Sequence, residues 1–457
     1  MSNKKTKLLT FISISFLAML VVPLSSCAFF KDSVKTYKRS YRFNEIKMME
    51  QNTFKKLNNV SYPNKEAPEK NALFDSESEA YNDFSNQTYH ALVNTSKNEN
   101  FSYSSVGLYS LLNEMVYATT NTNLKNKLES LLGLSEENRE RFFKKVMYAN
   151  SYASGENTTQ LKNAAFFNNS FAYNEEYLNR LTKLYCEAYQ LSFSKDVDKI
   201  VDWANQAVNS KDFINKDFLE IDNDSELLLL SALYFKNMWN NKYLAKNNVK
   251  DDFYLSGGKT IKTTYMKHSY FLDKYYDYGS YISIKDFYYG GYASITYLVP
   301  KNTSDNIYEL TKDVNIFKED QEKEVVDNST YKKQFTVNLK TPKFNLKSDI
   351  DFKNSLINLG LGDIFNKNVN SFKNAFNDER LDNYNIYISS LKQRNEVEFN
   401  EDGTIVKSIS TAAFKKTSSG NIKTNTLDVN LNQPFIYIIR DINDIPIFVG
   451  HVDNPKV

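Results

Sequence analysis

The chain reads as α+β, folded as one large domain behind a targeting segment. Three observations carry that reading. Apolar residues recur at helical spacing through the first half, whereas period-two strand patterns dominate from Leu227 onward. No strand–helix–strand rhythm of the kind that builds a parallel sheet links the two halves, and no internal repeat occurs. Of 457 residues, 41% are hydrophobic and 25% charged, with only 13 Gly and 8 Pro, which suits a large core and not a disordered chain.

The first segment is not part of the fold. Lys4, Lys5 and Lys7 precede a short apolar run, Leu8 to Val22, of signal-peptide length. It is too short to span a bilayer comfortably as a permanent helix. Leu24-Ser25-Ser26-Cys27 then resembles the bacterial lipobox, which implies cleavage before Cys27 and acylation of its thiol. Residues 1–26 therefore read as a lipoprotein signal peptide, and their loss takes three Lys from a formal charge of +2, leaving −1. Several acyl chains, palmitate among them, would hold the protein to the outer side of a bacterial cell membrane, since one chain alone anchors only marginally. With Cys27 acylated, Cys186 has no partner for an intrachain disulfide. Its run LTKLYCEAYQ reads as helix, with the thiol a small buried hydrophobe.

Residues 27–75 are polar and interrupted by Pro63 and Pro68, and read as a lipid-anchored tether; a helix fits Phe43 to Leu57 within it. The domain, 76–457, starts at a capping-box pattern, Ser76 to Glu79, before Tyr81, Phe84, Thr88 and Ala91 at helical spacing. Helices fit Ser105 to Ala118, Asn123 to Leu132, Glu175 to Ala188 and Val197 to Val208. Strands fit Ile261 to Lys267, Tyr281 to Lys285 and Ala293 to Val299. The Tyr-rich stretch Tyr275 to Tyr297 reads as sheet surface.

Much chemistry is missing. The three histidines, His90, His268 and His451, stand near no Ser or Cys at catalytic spacing. There is no Walker loop, dinucleotide fingerprint, Cys-x-x-Cys or His-Glu-x-x-His, so no enzyme, metal or cofactor is expected. A formal charge of +2 without a basic block removes the case for nucleic acid.

The informative stretch is Val397 to Phe414, VEFNEDGTIVKSISTAAF. An alternating strand crosses an Asn-Glu-Asp-Gly turn and continues into a second strand-compatible run. On one parity stand Thr404, Val406, Ser408 and Ser410, small and uncharged; Ile405, Lys407 and Ile409 occupy the other. Such a face can be buried inside a sheet without stranding a charge, so the segment reads as a loop able to become a strand.

Val397 to Thr404 resembles, position by position, the hinge of the serpins, the serine protease inhibitor family. Three other segments resemble the same family in order: Leu233 to Trp239 (LYFKNMW), Thr341 to Phe365 (TPKFNLKSDIDFKNSLINLGLGDIF), and the end, Pro434 to Ile439 with Phe448 to Pro455. The resemblance runs from about Phe84 to Pro455. It implies helices packed around large mixed or antiparallel sheets with an exposed reactive-centre loop. It also implies a monomeric inhibitor of a serine, or alternatively a cysteine, protease.

The hinge would comprise Glu401, Asp402, Gly403, Thr404, Val406, Ser408 and Ser410. The family's fixed interval, counted from Glu401, ends on Thr417 and gives the bond Thr417–Ser418; Lys416, one step back, is the better bait for a trypsin-like enzyme. Ser102 and Ser105 match the shutter serines and Trp239 the breach aromatic. Gln393 stands where the family has its shutter His, and Ser231 where it has Asn; Val-Lys-Ser-Ile at 406–409 replaces its small residues. Those departures leave open an alternative, a non-inhibitory surface lipoprotein that serves as a binding or adhesion module.

Overall fold

The computed structural model describes residues 55–456 apart from 64, 96–98, 223, 327–334 and 406–424. The expected signal segment, Cys27 and most of the expected tether lie outside the described residues, as do Val406, Ser408, Ser410, Lys416, Thr417 and Ser418.

Strand β1 (Lys55–Lys56) precedes helix α1 (Asp75–Val93) and strand β2 (Phe101–Tyr103). Helices α2 (Ser105–Ala118), α3 (Thr122–Leu132) and α4 (Glu136–Ala149) follow, then the hairpin β3 (Ser151–Ser154) and β4 (Asn157–Asn168). Helix α5 (Glu175–Lys183), strand β5 (Cys186–Leu191) and helix α6 (Phe193–Ala207) complete the first half. The start of α1 differs from the expected Ser76–Glu79 box. Glu77, at the third helical position, accepts the N–H of the N-cap Phe74 on Oε2 at 2.9 Å, and Arg141 and Lys145 of α4 hold the same carboxylate at 2.8 and 2.9 Å, so charge from a neighbouring helix favours an earlier start. The inner face, Tyr81, Phe84, Thr88 and Ala91, is buried.

The helix expected over Glu175 to Ala188 ends at Lys183. Tyr185 takes a left-handed φ of 56°, which breaks the helix, and Cys186 opens β5 instead. Cys186 is buried there, with its pKa raised by burial and by the neighbouring Glu114 carboxyl. Residues 55–56, the end of the expected helix Phe43 to Leu57, are extended.

From Leu227 the chain is mostly strand: β6 (Leu227–Met238), β7 (Val249–Tyr254), β8 (Thr260–Leu272), β9 (Lys274–Asp277), β10 (Tyr281–Phe287) and β11 (Ala293–Pro300). After these come β12 (Glu324–Val326), β13 (Phe335–Pro342), β14 (Phe344–Asp351), β15 (Lys392–Phe399) and β16 (Gly403–Ile405). The chain closes with β17 (Asn425–Asn430), β18 (Phe435–Asp441) and β19 (Pro446–Val452). The architecture is α+β. The largest sheet runs β1-β5-β4-β6-β16-β15-β14, with β3 beside β4, and among the described strands of this sheet only β4 and β5 pair in parallel. A second, antiparallel sheet runs β12-β9-β10-β11-β18-β19-β2, and a third β17-β13-β8-β7.

Strands β11 and β18 are buried along their whole length, which suits the apolar runs Tyr297–Val299 and Phe435–Ile439 within them. Strand β14 alternates buried and exposed residues, as one face on the core requires. The Tyr-rich stretch departs from its reading as sheet surface: Tyr276, Tyr281, Tyr288 and Tyr297 are all buried. Rings of this size supply much of the apolar contact of the core.

Candidate functional site

The site lies where the largest sheet is interrupted. Strand β15 ends at Phe399, and Asn400 makes the turn: its Oδ1 accepts the N–H groups of Asp402 and Gly403 at 3.0 and 3.3 Å. The chain then reverses and runs as β16 between β15 and β6, antiparallel to both. Phe399 faces Thr404, and Gly403 and Thr404 face Met238 and Asn237. Gly403 is pressed onto β6 so closely that a Cβ there would lie 2.2 Å from the Asn237 carbonyl oxygen. Only glycine fits.

Thr404 points into the core at 3% exposure, with its hydroxyl 2.6 Å from that of Tyr288. The Tyr288 ring stacks on Trp239 at 4.8 Å between centroids. Trp239 in turn donates its indole N–H to the Asn400 carbonyl at 2.9 Å and its backbone N–H to that of Asp402 at 3.1 Å. Glu401 is held by Lys343 Nζ at 2.8 Å and by the Asn248 amide at 2.6 Å. Burial alone would raise its pKa, but the hydrogen bonds from Lys343 and Asn248 outweigh it and hold the carboxyl below its ordinary range. Asp402 pairs at 3.6 Å with Lys242.

Below Ile405, strands β6 and β15 are not paired with each other among the described residues. A groove with a cavity of about 90 Å³ runs between them, lined by Ser104, Gly107, Ser231, Leu233, Gln393 and Asn395, with α6 residues such as Trp203 alongside. At its floor Gln393 bridges to α2. Its Oε1 accepts the Ser104 N–H at 2.6 Å and its Nε2 donates to the Ser104 carbonyl at 3.2 Å. A Cβ on Gly107 would stand 2.9 Å from Gln393 Nε2 and 3.4 Å from Ser231 Oγ, so the bare backbone makes room for this longer side chain. Among the described residues the buried Ser231 hydroxyl has no hydrogen-bond partner.

Of the residues singled out from sequence, Glu401, Asp402, Gly403, Thr404 and Trp239 therefore meet at one end of the groove. Gln393 and Ser231 both line the groove. Ser105 donates instead to the Pro446 carbonyl at 3.0 Å, and the Ser102 backbone N–H is met by Ser348 Oγ at 3.2 Å. The serine that touches Gln393 is Ser104. Sequence reasoning missed Ser104, Gly107, Tyr288 and Lys343. Lys343 sat inside the quoted TPKF segment and Ser104 between the two chosen serines, but Tyr288 carried no signal among so many tyrosines. Among the described residues no three His, Cys, Asp or Glu side chains stand close enough to share a metal ion.

The profile of one family, described as Serpin (serine protease inhibitor), matches residues 79–455. Serpin-Z4 of Hordeum vulgare is 28% identical over 241 residues, which is 52% of this chain and 58% of that protein. Serpin B10 of Sorex araneus is 24% identical over 298 residues, 62% of this chain and 70% of that one. Several of these alignments thus span little more than half of the relative's length. Among solved structures, the native state of the thermophilic serpin tengpin superposes with a TM-score of 0.71 at 21% identity, covering 86% of this chain and 97% of that one. Native protease nexin-1 superposes with a TM-score of 0.68 at 19% identity, covering 83% and 99%. At such identities the likeness is one of fold.

Proposed function

The chain belongs to the serpin family, and from that membership we propose that it is a membrane-anchored inhibitor of a serine-type endopeptidase, acting as a suicide substrate. The protease's serine Oγ attacks the carbonyl of Lys416 or Thr417. The bond to the next residue breaks, its nitrogen leaves with a proton as a new amino terminus, and an ester joins loop and enzyme. The freed loop then extends β16 downward between β6 and β15. About 14 residues at ~3.3 Å each carry the attached enzyme on the order of 45–50 Å before water can cleave the ester.

The observation that carries this reading is β16 itself. Its residues already pair with β6 and β15, with Thr404 buried, and the two flanking strands below make no pairing with each other among the described residues. A new strand there would satisfy backbone groups on two sides at once. Thr404, Val406, Ser408 and Ser410 share a parity, and Thr404 faces the core.

Incubation of the soluble domain with trypsin-like and elastase-like proteases tests the reading. A complex stable in denaturing detergent is expected, with the cut mapped by mass spectrometry to Lys416–Thr417 or Thr417–Ser418. Clean cleavage without a complex would favour the non-inhibitory binding module. The anchor has its own test: Cys27→Ser is expected to move the protein from the membrane fraction to the soluble one, and continued membrane association would contradict lipidation.

A further inference from the structure

Strand β5 would be the outer edge of the largest sheet were it not for the segment before the domain. Lys55 and Lys56 pair antiparallel with Gln190 and Tyr189. Leu57 N–H donates to the Ala188 carbonyl at 2.8 Å. At Asn58 the side chain takes over from the backbone: Oδ1 accepts the Ala188 N–H at 2.8 Å and Nδ2 donates to the Cys186 carbonyl at 2.9 Å and to Thr182 Oγ1 at 2.9 Å. One amide side chain thus stands in for a peptide unit of a neighbouring strand, meeting the Ala188 N–H and the Cys186 carbonyl on this edge.

Both β1 residues are exposed, and between Leu57 and Phe74 the described residues form neither helix nor strand beyond an isolated bridge from Lys65 to Tyr152. Single contacts hold the segment there: Leu57 and Tyr62 pack on the core, Tyr62 donates to the Asn163 carbonyl at 3.4 Å, and the Lys65 and Tyr148 carbonyls accept the N–H groups of Ala153 and Glu69 at 3.2 and 3.4 Å. The edge beneath it is firm, because β5 is buried and paired along its whole length with β4. An unplugged edge of this kind is a template for another extended chain. The segment whose side-chain pattern fits it is the one already there, and every copy of the protein carries that segment, with residues 59–74 between it and α1.

We propose that the β5 edge is a strand-exchange site, closed in the monomer by residues 55–58 and able to take the same segment from a second copy when its own is withdrawn. The edge is remote in sequence from the bait loop, so the proposal stands whether or not the loop inhibits. Exchange of an element between identical chains joins them through contacts the monomer already has.

The test uses the full chain carrying Cys27→Ser and a fluorescent peptide of residues 52–62. Leu57→Pro removes the N–H that Ala188 accepts and should expose the edge, so this variant binds the peptide one to one while the parent does not. Asn58→Ala deletes three hydrogen bonds but spares the backbone, and should take up the peptide about ten-fold or more better than the parent, which keeps the test open if Leu57→Pro does not fold. The parent, warmed at high concentration, should form dimers by light scattering that excess peptide suppresses. Failure of both variants to bind, binding by the parent equal to theirs, or dimers indifferent to the peptide would each overturn the proposal.

Discussion

Gly403 and Thr404 do opposite things at the hinge: the first lets the backbone of β16 lie against β6, and the second fills the face beneath it. Gly403→Ala puts a methyl 2.2 Å from the Asn237 oxygen, so the hinge must back out of the sheet. A loss of about 1–3 kcal/mol is expected, measured by urea unfolding, as for other overpacked sites. Thr404→Arg leaves the backbone free but buries a guanidinium beside Tyr288, at a cost of several kcal/mol without a partner. That variant should be cut as a plain substrate, and full inhibition by it would show that Thr404 is never buried in the trapped complex. The parity of this face was readable in the sequence because a strand has period two. The reason for glycine was not, since it depends on β6, more than 150 residues earlier in the chain.

At the scale of elements, the turn between β15 and β16 is fastened by charge. Glu401 has its pKa lowered in the fold, so its contribution is present above the ordinary carboxylate range and is lost as pH falls through the lowered value. Lys343 is more than one-third exposed, which limits that contribution to about 1 kcal/mol. Acidification should loosen the hinge, and Trp239 reports it, because Trp203 is the only other tryptophan and can be replaced by Phe. Glu401→Gln should abolish the acid step in fluorescence; a step that survives this change belongs to another group.

The floor of the groove follows a similar logic with neutral groups. Gln393→Ala removes both bonds to Ser104 and leaves the Ser104 N–H without its acceptor, while the Ser104 carbonyl keeps the Leu108 N–H, for an expected loss of about 1–3 kcal/mol by urea unfolding. Sequence identified Gln393 and Ser231 by position but chose Ser102 and Ser105 as their neighbours. Which of several adjacent serines turns toward a strand depends on where α2 begins, and Ser104 is its N-cap, accepting from Gly107. Element boundaries decide such details, and they are the least legible feature of a chain. The helix that became α5 and β5 failed for the same reason, at one residue with a left-handed φ.

For the whole molecule, α+β organisation was readable because helical and strand periods occupy different halves of the chain. The interleaving was not, since β4 and β5 arise between helices and join β14 and β15 only through β6 and β16. That arrangement makes the largest sheet two parts joined at β16, the one place where a further strand can add to both. If insertion completes the sheet, the severed protein holds backbone pairings the intact one lacks. Heating the domain before and after a single cut at residues 416–418 measures this directly. The account predicts a marked rise in unfolding temperature on cutting, and equal temperatures for the two forms would contradict it.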